Sequence, residues 1–356
     1  MRILIAPFIQ CPRADAAYYI TQNLAVTFSQ ENHAVAISGD TANHFHHASV
    51  YTCPKIKKPL VNMKDQRSYE AWLYSHGGST RDYLLNDLKC MDEAISHFHP
   101  DLIIVMDRPA AVMAARAKHI PCWVIVNSDM YKKTWFSSKA MDAVNEVLDN
   151  LHMEQVFTLK DLYAKCERRI GFGPIEAQPF SESQHTDRID IASVYPIHVK
   201  QTNRVCIFLP DVHKRSLPKI LTDGFKGAPY SVYAWYRGCR ASRIENMHFM
   251  AAPKPDLLPG SIACVHDGNA YLMNQCLARG IPQVIITDHN YIRNYNAMCV
   301  SRNLCGLSIY ENELTMGKLY ETYRAVLSDD TYYYHTQALK DITCKGTDIS
   351  EILHLL

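Results

Sequence analysis

The chain lacks any long apolar run, which limits where it is expected to reside. No stretch of its 356 residues approaches the roughly 18 consecutive apolar residues of a membrane-spanning helix. Its apolar start, Ile3–Phe8, is shorter than the roughly 7–15 residues of the apolar core of an export signal. The sequence therefore predicts a cytoplasmic protein with no transmembrane segment.

The chain also has no excess of either charge. Its 37 Lys and Arg residues and 36 Asp and Glu residues give a net charge of +1, so nothing in the charge balance points to nucleic acid or an anionic membrane. With 47% apolar and 21% charged residues, the composition is that of a globular protein. A chain of 356 residues is too long to fold around one ordinary hydrophobic core, which predicts two domains.

The twelve cysteines include no C-x-x-C pair. They are scattered along the chain, and several lie inside apolar runs, such as Cys122 in Pro121–Val126 and Cys206 in Val205–Leu209. Free cysteine is one of the most frequently buried residue types, so the pattern favours reduced thiols in the core over a disulfide framework. Reduced thiols are typical of a reducing compartment.

The first half of the chain alternates between strand-like and helix-like patterns. Such alternation predicts a parallel sheet with crossover helices. The predicted strands are Ile3–Ala6, Ala34–Ser38, Asp101–Met106 and Pro121–Val126, and the predicted helices are 15–30, 69–97 and 110–118. Gly77 and Gly78 interrupt the second helical stretch, and we interpret Ser75–Thr80 as a break between two helices.

A second alternating series follows a polar stretch, Ser181–Asn203, which we interpret as the interdomain connection. The sequence thus predicts a Rossmann-like N-terminal domain at 1–190. It predicts a second Rossmann-like domain at 200–335 and a helical segment at 336–356. The fold class is α/β.

The strongest chemical signal lies at residues 262–270. The apolar strand Ile262–Val265 leads into His266-Asp267-Gly268-Asn269-Ala270 and then a helix. At a helix N-terminus, unpaired backbone N–H groups and the helix dipole favour a bound phosphate. In open α/β sheets, ligands bind at the carboxyl ends of strands, where this turn lies.

The residues that follow carry a family resemblance. Gly280-Ile281-Pro282 leads into a strand that ends near Asp288-His289, and Asn296-Ala297 and Gly306 come later. Together with His266 and Gly268, they resemble the donor domain of the GT-B glycosyltransferases. The resemblance is to the family-1 type, which includes macrolide and UDP-glucuronosyl transferases. The match to the family's motifs is specific over residues 262–306 and weaker elsewhere.

This resemblance implies two Rossmann-like domains facing across a cleft, with C-terminal helices closing the chain. It places the domain at 1–190 on the acceptor side and makes the domain at 200–335 the one that binds the nucleotide-sugar donor. It implies sugar transfer from a nucleoside-diphosphate sugar, with UDP expected, to a hydroxyl or similar nucleophile of a small-molecule or glycan acceptor. No metal and no cofactor are expected. The residues that correspond to the family's donor site are His266, Gly268, Asn269, Ala270, Tyr271, Asn274, Asp288, His289, Arg293, His248 and Phe249.

The resemblance assigns parts of the donor to these positions. His266 and the backbone of Gly268–Ala270 are expected at the diphosphate, and Asn274, where the family has Glu, at the ribose. Asp288 and His289 are expected at the sugar. The strand at His248-Phe249 precedes the loop that contacts the nucleobase. Because a carboxylate repels phosphate, we expect Asp267 to face away or to hold a neighbouring donor group.

Catalysis by the family uses a His after the first strand and an Asp at a later strand end, and this chain has no His in that loop. Asp15 is the candidate base there, although it also suits a helix N-cap. Asp107 matches the orienting position and also suits a cap. Trp135 and Phe136 are candidate walls of an acceptor pocket. The missing His and the altered ribose position leave open a non-catalytic nucleotide-sugar-binding accessory protein. A nucleotide-sugar epimerase or hydrolase on the same architecture is a second alternative.

Overall fold

The chain forms two compact units of similar topology. The computed structural model describes residues 1–9, 16–39, 45, 48–57, 68–131, 139–173, 186–189, 202–343 and 349–356. One unit comprises Met1–Phe172, Gln178–Ile189 and Ile349–Leu356, and the other comprises Gly173–Ala177 and Asp190–Asp348. The proposed domain boundaries stay predictions, although the last fourteen-residue helix belongs to the second unit and the residues after 348 belong to the first.

The first unit is built on a seven-stranded parallel sheet in the order β3-β2-β1-β4-β5-β6-β7. Its strands are β1 (Arg2–Pro7), β2 (Ala34–Ser38), β3 (Ser49–Tyr51), β4 (Leu102–Met106), β5 (Cys122–Val126), β6 (Arg168–Phe172) and β7 (Thr186–Ile189). Its helices are α1 (Ala16–Gln30), α2 (Tyr69–Ser75), α3 (Arg81–Phe98), α4 (Pro109–Ala117), α5 (Lys139–Asn150) and α6 (Leu159–Tyr163). Strands β4 and β5 are buried along their whole length, because helices cover both faces of such a sheet.

The second unit repeats this arrangement in a seven-stranded sheet of order β10-β11-β9-β8-β12-β13-β14. Its strands are β8 (Arg204–Leu209), β9 (Ser231–Tyr236), β10 (Ser242–Ile244), β11 (Met247–Phe249), β12 (Ala263–His266), β13 (Gln283–Thr287) and β14 (Gly306–Tyr310). Its helices are α7 (Leu217–Gly224), α8 (Ala270–Arg279), α9 (Tyr291–Arg302), α10 (Met316–Ser328) and α11 (Asp330–Thr343). All neighbouring strands are parallel except β10 and β11.

Alternating side chains divide the core of the second unit between the two faces of its sheet. Val284 and Ile286 of β13 belong to the cluster that includes residues of α7 and α10, while Ile285 belongs to the cluster with residues of α8 and α9. This is the period-two pattern of a strand covered on both faces. It explains why the apolar runs in the sequence identified these strands.

Both sheets reverse their strand order at one place. Strand numbering falls from β3 to β1 and then continues at β4 in the first sheet, and the second sheet reverses between β8 and β12. Ligands of open α/β sheets bind outside the carboxyl ends of the strands at such a switch point. The fold therefore singles out the residues after β1 and β4 and those after β8 and β12.

Several elements differ from the sequence prediction. Strand β3 lies in a stretch for which no strand was predicted, and β7 lies inside the stretch interpreted as the interdomain connection. Both are edge strands, which need no continuous apolar run. The interpretation of Ser75–Thr80 as a helix break is confirmed, since α2 ends at Ser75 and α3 begins at Arg81.

Two further expectations concern the whole chain. The ten cysteines in the described part are free thiols, and eight of them are buried, which confirms the prediction of core thiols. Among the helices that the structure describes, none is both long enough and apolar enough to span a membrane.

Candidate functional site

The turn between β12 and α8 is organised by a buried, neutral histidine. The backbone N–H of Gly268 donates to His266 Nδ1 over 3.1 Å, so the ring proton is on Nε2, which donates to Gln283 Oε1 over 2.7 Å. Burial lowers the pKa of His266 to about 4, although the Gln283 hydrogen bond opposes this shift. His266 therefore stabilises the turn through its buried hydrogen bonds to Gly268 and Gln283. Its expected donation to a diphosphate stays a prediction.

Gly268 has a conformation and a packing environment that suit glycine. Its φ is +82°, and a Cβ on it would lie 3.1 Å from both the Cβ and the carbonyl oxygen of Arg293. Asn296 Nδ2 donates to the Gly268 carbonyl over 2.8 Å. Glycine therefore brings the turn into contact with α9, and Asn296 fixes it there.

We expect Gly268→Ala to destabilise the protein by about 1–2 kcal/mol through its left-handed backbone alone, with a further loss from the contact with Arg293. Gly227→Ala is the matched control, because Gly227 also has a positive φ, +69°, but nothing within 4 Å of the added Cβ. Urea denaturation of both variants measures the difference. If both variants lose the same free energy of unfolding, the close contact between Gly268 and α9 contributes nothing to stability.

The first amides of α8 have partners within the turn. Asn269 is the N-cap, and its Oδ1 accepts from the N–H groups of Tyr271 and Leu272 over 2.9 and 3.3 Å. The N–H of Asn269 donates to Asp267 Oδ1 over 3.3 Å. Among the described residues, no acceptor is found for the N–H of Ala270. The helix N-terminus is thus preorganised by side-chain oxygens where the resemblance expects phosphate oxygens.

Arg293 joins three strand-end turns. Its guanidinium forms ion pairs with Asp211 after β8, with Asp267 after β12 at 3.2 Å, and with Asp288 after β13 at 3.9 Å. Asp211 also pairs with Arg237, which follows β9, at 2.5 Å. We call Arg293 and these three aspartates the Arg293 cluster. The expectation that Asp267 holds a neighbouring donor is confirmed, because it binds Arg293 and the Asn269 N–H.

Burial and charge act in opposite directions on these carboxyls. Burial raises the pKa of Asp267 to about 6, partly offset by Arg293. Burial would also raise the pKa of Asp211, but Arg293 and Arg237 outweigh it and the net shift is downward. The carboxylates raise the pKa of Arg293, against the effect of its burial. The guanidinium therefore stays charged and holds the turns together.

Asn274 lies one turn into α8 and has an unsatisfied acceptor. It is 6% exposed, and no hydrogen bond from the described residues reaches its Oδ1. Its carboxamide packs on Gly173, which belongs to the same unit, since a Cβ there would lie 2.7 Å from Oδ1. Gly173 has φ +94°, so glycine suits it. A buried acceptor without a donor is costly unless a ligand or water supplies one.

The other predicted donor residues lie on α8, after β13 and on β11. Tyr271 is buried, and His289 is exposed after β13. Asp288 Oδ1 accepts from the Asn290 N–H over 2.8 Å. His248 stacks on Tyr233 at 4.7 Å between ring centroids, while Phe249 is buried. Their roles stay predictions.

In the first unit, Asp107 directly follows β4 at the switch point. It is 8% exposed, has φ +53°, and accepts a hydrogen bond from Tyr69 Oη over 2.7 Å. Tyr69 Oη lies 3.2 Å from Tyr163 Oη. Burial, followed by the charges of Asp107 and Glu70, raises the pKa of Asp129 to about 8. Asp15, Trp135 and Phe136 lie outside the described residues.

Sequence reasoning missed Asp211, Gln283 and Tyr69. Asp211 is 82 residues from Arg293, and no local pattern links them. The one available signal for Asp211 was its position shortly after the apolar strand that ends at Leu209. Within the described part, no three His, Cys, Asp or Glu side chains come together as metal ligands.

No family model and no curated protein sequence matches the chain. Similar solved structures are glycosyltransferase VinC in complex with DTDP (15% identity, TM-score 0.73) and spinosyn rhamnosyltransferase SpnG (13%, 0.77). A third is the Streptomyces sp. SF2575 glycosyltransferase SsfS6 (14%, 0.71). Each match covers 100% of this chain and 98%, 99% and 99% of the respective structure. The predicted fold is confirmed: this chain has the GT-B fold of these glycosyltransferases over its full length.

Proposed function

We propose that the chain is a glycosyltransferase that moves a sugar from a nucleoside-diphosphate sugar to a hydroxyl or similar nucleophile of a small-molecule or glycan acceptor. The proposal is supported by the GT-B fold and by the polar groups at the switch point of the second sheet. The fold alone is compatible with an accessory protein or a donor hydrolase. Product analysis with donor alone and with donor plus acceptor separates these alternatives.

One observation carries the donor assignment, namely the unsatisfied Oδ1 of Asn274. It lies one turn inside the N-terminus of α8, at the position that the resemblance assigns to the ribose. A ribose hydroxyl would supply the missing donor, and the diphosphate would then lie at the N-terminus of α8. There its oxygens would accept from the Ala270 N–H and compete with Asn269 Oδ1 for the next two amides.

The nucleotide is proposed to be a pyrimidine nucleoside diphosphate. The resemblance favours UDP, while VinC and SpnG were solved with DTDP and thymidine diphosphate. The helix dipole and backbone N–H groups stabilise the leaving diphosphate in this proposal, and no metal is required. His266 would support this site by fixing the Gly268 N–H, and Asp288 and His289 would contact the sugar.

We expect Asn274→Leu to weaken binding of UDP or thymidine diphosphate about fivefold to tenfold, because one hydrogen bond is lost. Stability should stay equal or rise, since the variant removes a buried acceptor that lacks a donor. Calorimetric titration measures the affinity, and urea denaturation measures the stability.

Asn312→Leu serves as the matched control, because Asn312 is exposed in a short 3-10 helix of the same unit. It should leave nucleotide affinity unchanged. If the wild-type protein binds neither diphosphate, the proposed function is wrong. If Asn274→Leu binds as tightly as wild type, the ribose assignment is wrong.

A further inference from the structure

Helix α11 packs against the rest of the second unit through one of its sides. Leu339 is 6% exposed and belongs to the same apolar cluster as Met273 and Leu277 of α8. Gln337 Nε2 donates to the carbonyl oxygen of Gly280, directly after α8, over 2.8 Å. These contacts fix which side of α11 is turned inward, and therefore which side is turned outward.

The outward side of α11 carries a row of exposed apolar side chains. Tyr334, Ala338 and Ile342 follow one another at intervals of four residues, which places them on the same side of a helix. Tyr334 is 66% exposed, Ile342 is 47% exposed, and Ala338 is exposed as well. We call these three residues the α11 row. Grouped apolar side chains on a surface are typical of a site that binds another protein.

The α11 row is symmetric about Ala338, its middle residue. Two copies of a helix can pair antiparallel about a two-fold axis, so that residues equally far before and after the middle residue come to the same level. Such a pair places Tyr334 of each copy beside Ile342 of the partner subunit. The middle residue meets its own copy, and a side chain as small as that of Ala338 allows the helix axes to approach to about 8 Å.

The polar residues beside the row have the same symmetry. His335 lies three residues before Ala338 and Asp341 three residues after it, and both are exposed. In the antiparallel pair, His335 of each copy comes to the level of the partner's Asp341, and an imidazole N–H can donate to a carboxylate. A parallel pair would instead bring two Asp341 carboxylates together, which is unfavourable. The charge pattern therefore favours a second copy in antiparallel orientation as the occupant of this surface.

We propose that the outward side of α11 is a homodimer interface, with a two-fold axis at Ala338, contacts between Tyr334 and the partner's Ile342, and hydrogen bonds from His335 to the partner's Asp341. No residue of this surface belongs to the candidate donor site, so the inference does not depend on the proposed function. The net charge of +1 leaves little repulsion between two copies. One helix from each copy buries less than the roughly 1,200 Å² of a stable interface, so we expect a weak dimer with a dissociation constant of about 10–100 µM.

Sedimentation velocity of the full chain at about 5–500 µM measures this equilibrium. Ala338→Glu brings two carboxylates together at the axis and should weaken dimerisation at least about tenfold. Ala325→Glu is the matched control, because Ala325 is exposed on α10, and it should leave the dissociation constant unchanged. A wild-type protein that stays monomeric at the highest concentration overturns the inference, and so does a dimer that Ala338→Glu leaves intact.

Cysteine crosslinking tests the position of the axis. Ala338→Cys should form a disulfide between two copies on mild oxidation with copper phenanthroline, because their Cα atoms come within the roughly 4.4–6.8 Å that a disulfide spans. The wild type and Ala325→Cys give the background from the native cysteines. If Ala338→Cys yields no more crosslinked dimer than these two proteins, the axis does not lie at Ala338 and the inference is wrong.

An exchange of the polar residues tests the antiparallel orientation. His335→Asp should weaken the dimer about threefold to tenfold, because the new carboxylate faces the partner's Asp341. The double variant His335→Asp with Asp341→His restores one imidazole and one carboxylate at each contact, and should recover the dissociation constant of the wild type. A double variant that dimerises no better than His335→Asp contradicts the proposed pairing.

Discussion

Replacing Arg293 with methionine is expected to lower the free energy of unfolding by about 3–5 kcal/mol. The guanidinium is 13% exposed and pairs with three carboxylates, of which Asp267 is 1% exposed. Without Arg293, the buried carboxylate of Asp267 would have no cation beside it and would have to take up a proton. Urea denaturation at about pH 7 measures the loss. Nucleotide affinity should fall as well, because the turns after β8, β12 and β13 lose their common partner.

Arg237→Met is the matched control, since Arg237 pairs with the same Asp211 but is 53% exposed. An exposed pair contributes about 0–1 kcal/mol, so this variant should stay close to wild type. The two arginines differ in burial and in the number of carboxylates that they pair with, three for Arg293 and one for Arg237. Similar losses in both variants would contradict the assignment of Arg293 as the residue that holds the turns.

Asp129→Asn is expected to make the protein more stable, and the gain should grow with pH. The pKa of Asp129 is raised from 3.8 to about 8 by burial first and by the charges of Asp107 and Glu70 next. Its protonated form is therefore favoured in the folded state, and the stability that this provides is present below about pH 4 and is lost as the pH rises towards 8. The shift corresponds to on the order of 5 kcal/mol. The side-chain amide of the Asp129→Asn variant stays neutral at every pH, so the variant does not lose this stability as the pH rises.

Denaturation midpoints of wild type and Asp129→Asn at about pH 4, 6 and 8 test this expectation. The two proteins should coincide at the lowest pH and separate steadily above it. Asp142→Asn, which changes an exposed carboxylate on α5, should follow the wild type throughout. A difference between Asp129→Asn and wild type that does not depend on pH would show that Asp129 is ionised in the folded protein.

The sequence predicts those elements whose buried residues form a short, regular apolar pattern along the chain. The bounds of β2 were predicted to the residue, because its apolar run is followed directly by Gly39. The edge strands β3 and β7 were missed, since an edge strand needs hydrogen bonds from one neighbour only and leaves little apolar signature.

The candidate site could be located from sequence, but its chemistry could not. The turn at Asp267-Gly268 was located from the strand and helix patterns around it, while the assignment of Asn274 to the ribose came from the family resemblance and stays a prediction. The tautomer of His266 depends on Gln283 in the next strand, and the partner of Arg293 is Asp211, far away in sequence. These contacts result from the parallel pairing of β8, β12 and β13, which places distant residues side by side.

The Arg293 cluster has a consequence for redesign of the protein. If the proposed function holds, exchanging a single loop to alter which sugar is used would leave the two other aspartates facing an arginine placed for a third. Substitutions in the segments that follow β8, β12 and β13 should therefore show strongly non-additive effects. A directed-evolution library that varies the three segments together, with Arg293 kept, should yield more active variants than three libraries that each vary one.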